Sequence, residues 1–240
     1  MVLYIGITIY MYIVYCIILA AGRGTRMGDL TSDCPKPMLK IKNKPKLSYS
    51  IEMLPDKITD VVLVVGYLGE QIIDFFGNEY AGRKIHYVKQ VDFNGTAGAV
   101  TLAREIVNDR FLVIMGDDLY YKNDLEELLH NNQSILTYKV NNADQFGIVE
   151  VDKNSYLKSI IERPHGKKSG LVNTGAYLLS EKYFEQQMIA ISDTEYGLPQ
   201  TLAAMYPKIK TKNVVATKWQ SVGNSNDLQI AKKRLNEFIS

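Results

Sequence analysis

The first half of the chain alternates continuous apolar runs with amphipathic segments. The apolar runs are typical of parallel strands buried on both faces, and they lie at 13–20, 60–65 and 111–115, with a further strand predicted at 84–88. Apolar residues at helical spacing lie between them, at 46–54, 68–76 and 96–106. This order predicts an α/β fold: a doubly wound, mostly parallel, Rossmann-like sheet with helices on both faces.

The pattern changes after a predicted helix at 123–131. Strand-like segments with period-2 character now dominate, at 134–140, 147–151, 157–161, 171–179 and 211–217. Helical segments are predicted near 180–189 and 195–205, and an amphipathic helix closes the chain at Phe238. We therefore expect one domain over 1–240, with a first half at about 11–132 and a strand-rich second half at about 133–240.

The N-terminus is uncharged over its first 22 residues, a length that could span a bilayer. Tyrosines are spread through it rather than gathered at its ends, and no basic segment precedes it. Its second half must also supply the strand that leads into the glycine-rich loop. We expect no membrane span, an extra segment at 1–10, and Met11 as an alternative start.

Composition excludes several classes of protein. The 240 residues carry a net charge of +2, so nothing global favours binding to nucleic acid or to an anionic membrane. Two cysteines, Cys16 and Cys34, form neither a disulfide framework nor a metal-binding spacing. These features predict a cytoplasmic protein.

The loop after the first strand carries the clearest chemistry. Residues 17–39 read IILAAGRGTRMGDLTSDCPKPML, with Gly22, Gly24 and Gly28 beside Arg26 and Lys36. Glycine amides and fixed cations together can hold a polyphosphate. The spacing matches neither the Walker pattern nor the dinucleotide fingerprint. A polar turn with solvated charges is the alternative interpretation.

The combination of AAGRGTRM and PKPML resembles the signature of the sugar-1-phosphate nucleotidyltransferases. These enzymes join a nucleoside triphosphate to a sugar 1-phosphate and release pyrophosphate. The resemblance implies catalytic roles for Arg26, Lys36 and Asp117. It also implies that the nucleotide contacts a set of loop residues: Ala21, Gly22, Gly24 and Thr25.

A second segment resembles the base-recognition loop of this family. Gln90, Gly95 and Thr96 form the pattern Q-x-x-x-x-G-T, although a plain N-capped helix would look similar. A glutamine amide both donates and accepts, so it can match the edge of uracil or thymine. The resemblance implies UTP or dTTP as substrate, with Thr96 also acting as a helix cap.

Asp117 directly follows the strand at 111–115 and Gly116, where α/β proteins bind ligands. It resembles the metal aspartate of the family, and a single carboxylate with phosphate oxygens suits Mg²⁺. The alternative interpretation is a simple Gly-Asp turn. We expect Asp118 either to support this site or to face solvent.

Sugar binding is assigned to the second half by resemblance. Gly147, Glu162 and Asn173 match family positions that contact the sugar, and Arg163 matches a lysine that binds the sugar phosphate. Arginine offers a forked donor where lysine offers a point charge. Each motif alone could be a surface ion pair or a turn.

One segment departs from the family pattern. Many relatives carry a second metal-binding aspartate where this chain has Ser221, and we expect Asp227 to lie on the next helix. This departure leaves open a catalytically weakened nucleotide-sugar-binding regulatory subunit. A second alternative keeps the chemistry but changes the acceptor: a cytidylyltransferase for a phospho-alcohol. The sequence is compatible with a homo-oligomer. It shows no hexapeptide repeats, so we expect no attached acyltransferase domain.

Overall fold

The computed structural model describes residues 14–163 and 166–239. The predicted extra segment at 1–10, the alternative start at Met11 and residues 164–165 lie outside the described residues. The strands of the described part, in chain order, are β1 Val14–Ala20, β2 Lys40–Ile41, β3 Lys44–Pro45, β4 Ile58–Val65, β5 Glu79–Tyr80, β6 Arg83–Lys89, β7 Arg110–Met115, β8 Leu119–Tyr120, β9 Ser134–Val140, β10 Ile148–Val151, β11 Leu157–Ile161, β12 Gly170–Ser180, β13 Ile189–Ala190, β14 Tyr196–Gly197, β15 Lys212–Val215 and β16 Trp219–Gln220.

Helices connect these strands and cover the main sheet. The α-helices are α1 Lys46–Glu52, α2 Gly69–Phe76, α3 Gly95–Thr101, α4 Lys122–Leu129, α5 Leu198–Ala204, α6 Ser225–Arg234 and α7 Asn236–Ile239. Short 3-10 helices lie at Thr25–Thr31, Lys36–Met38 and Glu181–Glu185. Among residues 14–163 and 166–239, no helix combines the length and apolar character that crossing a membrane requires.

Ten strands of the described part form one mixed sheet. Its main path has the order β11-β10-β12-β7-β1-β4-β6-β5, and β9 pairs with both β12 and β15. The centre is parallel, because β1 pairs in parallel with β4 and β7, and β4 with β6. The predicted α/β, mostly parallel, Rossmann-like sheet is confirmed.

Strand β1 is buried on both faces, which explains its uninterrupted apolar run. Ile18 packs in one cluster with Leu47 and Ile51 of α1. Ile17 points to the opposite face and packs in another cluster with Ala99 and Val100 of α3. A strand enclosed in this way must satisfy its backbone through the sheet, and its register to both neighbours is continuous from Tyr15 onward.

The long strand β12 joins the two halves. Its second part pairs antiparallel with β7, and its first part reaches β10. Its pairing with β9 shifts between Asn173 and Ala176, and Gly175 adopts φ +78° within this irregularity. A Cβ on Gly175 would lie 2.5 Å from Met115 Cγ, so only glycine lets the bulge pack against the end of β7.

Two predicted helices differ from the structure. The helix expected at 180–189 is wrong: a 3-10 helix ends at Glu185, and Ile189 instead enters a short antiparallel pair with Gly197. The Thr201 hydroxyl accepts the Ile189 N–H at 3.0 Å, so a residue distant in sequence fixes this extended backbone. The helix expected at 195–205 consequently begins only at Leu198.

The β13–β14 hairpin packs tightly on the start of α3. Tyr196 N–H donates to the Asn94 carbonyl at 2.9 Å. Gly95 has φ +87°, and a Cβ there would lie 2.4 Å from the Tyr196 carbonyl oxygen. A side chain at position 95 would therefore push the backbone at the start of α3 away from the backbone of Tyr196.

We expect Gly95→Ala to lower the free energy of unfolding by about 1–3 kcal/mol more than Gly82→Ala, because overpacking adds to the left-handed strain. Gly82 is a matched control, since its φ is +73° and a Cβ there would meet nothing within 4 Å. Urea unfolding of both variants measures the difference. Equal losses would show that the contact with Tyr196 is easily relieved.

Candidate active site

A cavity of about 380 Å³ opens where β1 and β7 end, at the carboxyl edge of the parallel strands. This is the edge at which open α/β sheets bind ligands. All the residues assigned above to catalysis or nucleotide binding line it: Ala21, Gly22, Gly24, Thr25, Arg26, Lys36, Gln90, Gly95, Thr96 and Asp117.

The glycine-rich loop is shaped by its contact with Lys36. Gly24 adopts φ +68°, and a Cβ there would lie 2.8 Å from Lys36 Cβ. The Gly24 carbonyl accepts the Met27 N–H at 2.8 Å and the Thr31 hydroxyl at 3.1 Å, which closes the following 3-10 turn. The buried stem of Lys36 is thus laid across the loop, with its ammonium at the cavity.

Asp117 is held between two lysines. Its carboxylate forms an ion pair with the Lys36 ammonium. Its backbone carbonyl accepts a hydrogen bond from Lys46 Nζ at 2.6 Å, and Lys46 is fully buried at the start of α1. The side chain of Asp117 remains 29 % exposed, so a ligand in the cavity can still reach it.

The buried charges shift one another's pKa values. Burial lowers the pKa of Lys46 to about 8, although Asp117 opposes this shift. Burial would raise the pKa of Asp117, but Lys46 and Lys36 outweigh it and hold that pKa below its usual value. Asp117 therefore stays ionised at neutral pH.

Asp118 points away from the cavity and anchors a second segment. Its carboxylate accepts hydrogen bonds from Trp219 Nε1 and from the Val222 N–H, both at 3.1 Å. Burial, together with the neighbouring Asp117, raises the pKa of Asp118 to about 7. The expectation of a supporting position is met, and the alternative of a solvent-facing Asp118 is wrong, since the residue is buried.

The anchored segment brings Gly223 to the cavity beside Arg26. Arg26 Nη1 lies 3.9 Å from the position that a Cβ on Gly223 would take. Ser221 lies in this segment, between the strand residue Gln220 and the anchored Val222. Asp227 lies on α6, as expected, and accepts the Gly223 N–H at 2.9 Å, so it caps the helix rather than facing the cavity.

The base-recognition residues meet on one wall. Gln90 Nε2 donates to the Asn94 side chain and to the Gly95 carbonyl, both at 3.2 Å. The expected cap role of Thr96 is wrong for its own helix, because Thr96 lies inside α3 and Asn94 is the N-cap residue. Its hydroxyl instead accepts the Leu198 N–H at 3.0 Å, at the start of α5.

Three residues assigned to the sugar lie together, outside the lining of this cavity. The Gly147 carbonyl accepts the Asn173 N–H at 3.0 Å, and a Cβ on Gly147 would lie 3.1 Å from Glu162 Oε1. Asn173 Oδ1 also accepts the N–H of Gly175, the residue that packs on Met115 of the cavity wall. Arg163 is exposed, and the structure does not bring it into this group.

Sequence reasoning missed several residues at the site. Lys46 was placed on a helix, but nothing local indicated that its charge would be buried. Ile191 and Glu195 reach the cavity from the β13–β14 hairpin, which was not predicted. Arg23 does not line the cavity and instead lies over the rings of Tyr67 and Phe93, at 5.9 and 5.5 Å from their centroids.

Comparison with known proteins identifies relatives along nearly the whole chain. It is 36% identical over 229 residues to the bifunctional protein GlmU of Methanocaldococcus jannaschii, covering 93% of this chain and 55% of that protein. It is 35% identical over 199 residues to the D-glycero-alpha-D-manno-heptose 1-phosphate guanylyltransferase of Campylobacter jejuni, covering 82% of this chain and 88% of that protein. The chain thus spans about half the length of its GlmU relatives.

One solved structure is similar to this chain in both fold and sequence. HddC from Yersinia pseudotuberculosis superposes with a TM-score of 0.74 at 27% sequence identity, covering 93% of this chain and all of that one. The model of the family described as nucleotidyl transferase matches residues 15–237. The chain therefore belongs to the nucleotidyl transferase family.

Proposed function

We propose that the protein transfers a nucleotidyl group from a nucleoside triphosphate to a sugar 1-phosphate and releases pyrophosphate. One observation carries this proposal: the glycine-rich loop, Arg26, Lys36, Asp117 and the Gln90 wall line a single cavity at the carboxyl edge of the sheet. That arrangement offers separate contacts for a base, a triphosphate and an attacking phosphate.

The proposed reaction is an in-line displacement. An oxygen of the sugar 1-phosphate forms a bond to the α-phosphorus, the bond from that phosphorus to the bridging oxygen breaks, and pyrophosphate leaves with the electron pair. Catalysis of this kind consists of positioning and charge stabilisation. Arg26 would bind the β- and γ-phosphates. The Lys36 ammonium would leave its ion pair with Asp117 and bind oxygens of the α-phosphate instead.

The Gln90 wall supports a pyrimidine nucleotide. The Gln90 amide is buried and held by the Asn94 side chain and the Gly95 carbonyl, so its orientation is fixed before a base arrives. Because both Nε2 protons are donated to these partners, the free group of the amide is Oε1, an acceptor that matches the N3–H of uracil or thymine. We therefore propose UTP or dTTP as the donor. HddC has been solved in complex with GMP-PN, which makes GTP the competitor to test.

The group formed by Gly147, Glu162 and Asn173 supports a sugar acceptor. A carboxylate oxygen and amide atoms beside a half-buried glycine suit a ring of hydroxyl groups. Gln200 Nε2 donates to Glu162 Oε1 at 2.9 Å and orients that carboxylate. Arg163 would reach the sugar phosphate only from the exposed rim.

The residues at the cavity fit Mg²⁺ bound mainly through substrate phosphates. Among the described residues no group of three or more acidic, histidine or cysteine side chains could hold a metal by itself. Mg²⁺ needs only one or two carboxylates when phosphates and waters complete its shell, and Asp117 supplies one. When bound, the ion would neutralise phosphate charge. Ser221 would add a neutral oxygen only.

The regulatory-subunit alternative is favoured by one observation, the neutral Ser221. The phospho-alcohol alternative is disfavoured by the Glu162 group, which a small alcohol would leave partly unused. Both alternatives keep the nucleotide cavity, so substrate and turnover must decide among them.

Pyrophosphate release measured with UTP, dTTP, CTP, GTP and ATP against a panel of hexose 1-phosphates and phosphocholine tests the proposal. We expect kcat/KM for UTP or dTTP with a sugar phosphate to be about tenfold higher than for every other nucleotide. A tenfold ratio corresponds to about 1.4 kcal/mol, which is what one well-placed hydrogen bond contributes. Highest rates with GTP would overturn the base assignment. Binding of nucleotide sugars without turnover would support a regulatory subunit.

Lys36→Ala should lower kcat by about 100-fold or more, the usual cost of removing one fixed group that stabilises transition-state charge. Lys40→Ala is the matched control, since Lys40 is an exposed lysine on the neighbouring strand β2, outside the cavity lining, and should leave kcat unchanged. Steady-state pyrophosphate release gives both values, and thermal unfolding checks that both variants fold. Unchanged turnover of Lys36→Ala would contradict the assigned role.

Ser221→Asp should lower the Mg²⁺ concentration for half-maximal activity by about tenfold, a gain of about 1.4 kcal/mol from a second anionic ligand. Ser221→Asn controls for size without adding charge and should leave the Mg²⁺ dependence unchanged. A Mg²⁺ titration of activity compares the three proteins. Equal effects of Asp and Asn would mean that position 221 does not face the ion.

A further inference from the structure

A second cavity, of about 750 Å³, lies at the opposite edge of the sheet. Arg110 at the start of β7, Lys212 at the start of β15 and Ser180 at the end of β12 all line it. The active-site cavity lies at the other end of β7, about 17 Å away at the usual rise per strand residue. The two cavities have no lining residue in common.

Five permanent cations line this second cavity, here called the basic cavity: Arg110, Lys182, Lys208, Lys210 and Lys212. Asp109 is the one carboxylate in its lining. None of the five cations belongs to an ion pair within the part of the chain that the structure describes. His130 also lines the cavity but is paired with Glu127 at 3.4 Å.

Two of these cations are fixed by the fold. Arg110 Nη1 donates to the Asn131 carbonyl at 2.7 Å, and Lys212 Nζ donates to the Asn154 carbonyl at 3.0 Å. The backbone of Lys212 is also fixed, because its N–H donates to the carbonyl of the buried Gln133 at 2.9 Å. Hydrogen bonds to neutral carbonyls orient these cations without cancelling their charge.

The rim adds charge over a shared aromatic ring. Lys210 and Lys212 lie 5.3 and 5.1 Å from the centroid of Tyr156. A cation–π contact at an exposed site is worth only about 0.5–1 kcal/mol, so one ring cannot offset two ammonium groups held side by side. Lys182 and Lys208 are exposed on the rim and complete the positive lining.

We propose that the basic cavity is a binding site for a small ligand that carries two or more phosphate groups. Five cations against one carboxylate exceed what a single phosphate would neutralise. The volume of about 750 Å³ lies within the range of about 300–1,000 Å³ typical of small-molecule sites. Arg110 offers a planar fork for phosphate oxygens, and the lysines supply point charges around it.

Calorimetric titration with inorganic tripolyphosphate, without divalent metal and at physiological ionic strength, tests this site. The background variant Arg26→Ala/Lys36→Ala removes the cations of the active-site cavity, so one binding event should remain in it. Adding Lys182→Ala/Lys208→Ala should weaken that event at least tenfold. Adding Lys232→Ala/Lys233→Ala, which removes two exposed lysines of α6, should change it less than twofold.

All four lysines are exposed, so their removal should leave the fold intact, and circular dichroism checks this. Absence of binding in the Arg26→Ala/Lys36→Ala background would overturn the proposal. Equal weakening by the two lysine pairs would also overturn it, because the anion would then respond to net charge alone. Neither outcome depends on whether the protein has the enzymatic activity proposed above.

Discussion

The charge balance around Asp117 is the constraint on which the site depends. Two carboxylates, Asp117 and Asp118, and two ammonium groups, Lys36 and Lys46, meet at the end of one buried strand. Burying any one of these charges alone would cost several kcal/mol. Together the opposite charges offset much of this cost, and Asp118, whose pKa is raised to about 7, carries only part of its charge at neutral pH. Because each lysine comes from a different element, the balance also ties the glycine-rich loop and α1 to β7.

Close backbone approaches position the remaining parts around this centre. Gly116 packs on β1, where a Cβ would lie 3.1 Å from the Leu19 carbonyl oxygen, and its N–H donates to that oxygen at 2.9 Å. Gly24 admits the stem of Lys36, and Gly175 admits Met115. Each of these glycines removes a side chain between two parts of the site. The cavity is therefore as much a product of absent side chains as of charged ones.

The sequence allowed the sheet and the grouping of the nucleotide residues to be predicted, but only where the signal was local. Strands buried on both faces show continuous apolar runs, so β1, β4 and β7 were placed to within two residues. The β13–β14 hairpin was missed, since Ile189 is exposed and its extended backbone is fixed by Thr201 and Gly197. These partners come from other parts of the chain.

The burial of Lys46 is a second feature that the local sequence could not predict, because it depends on charged partners elsewhere in the chain. A lysine next to Leu47 at the start of an amphipathic helix would normally extend to solvent. Here α1 is buried along its length, and its polar positions Lys46 and Ser50 face the Asp117–Asp118 turn. Their hydrogen-bond partners are the backbone carbonyls of Asp117 and Asp118, which lie some seventy positions later in the sequence.

Ser221 affects the charge of the site around Asp117 but not its backbone. Trp219 and Val222 both donate to Asp118, so the backbone on either side of position 221 is fixed whatever the side chain is. The serine therefore changes the charge of the site and leaves its framework in place. Among the described residues, the cavity lining carries two cations, Arg26 and Lys36, and two carboxylates, Asp117 and Glu195, while the buried Lys46 lies behind Asp117. A carboxylate at position 221 would add a charge to the segment that lies beside Arg26, whereas the neutral serine leaves that charge balance as it is.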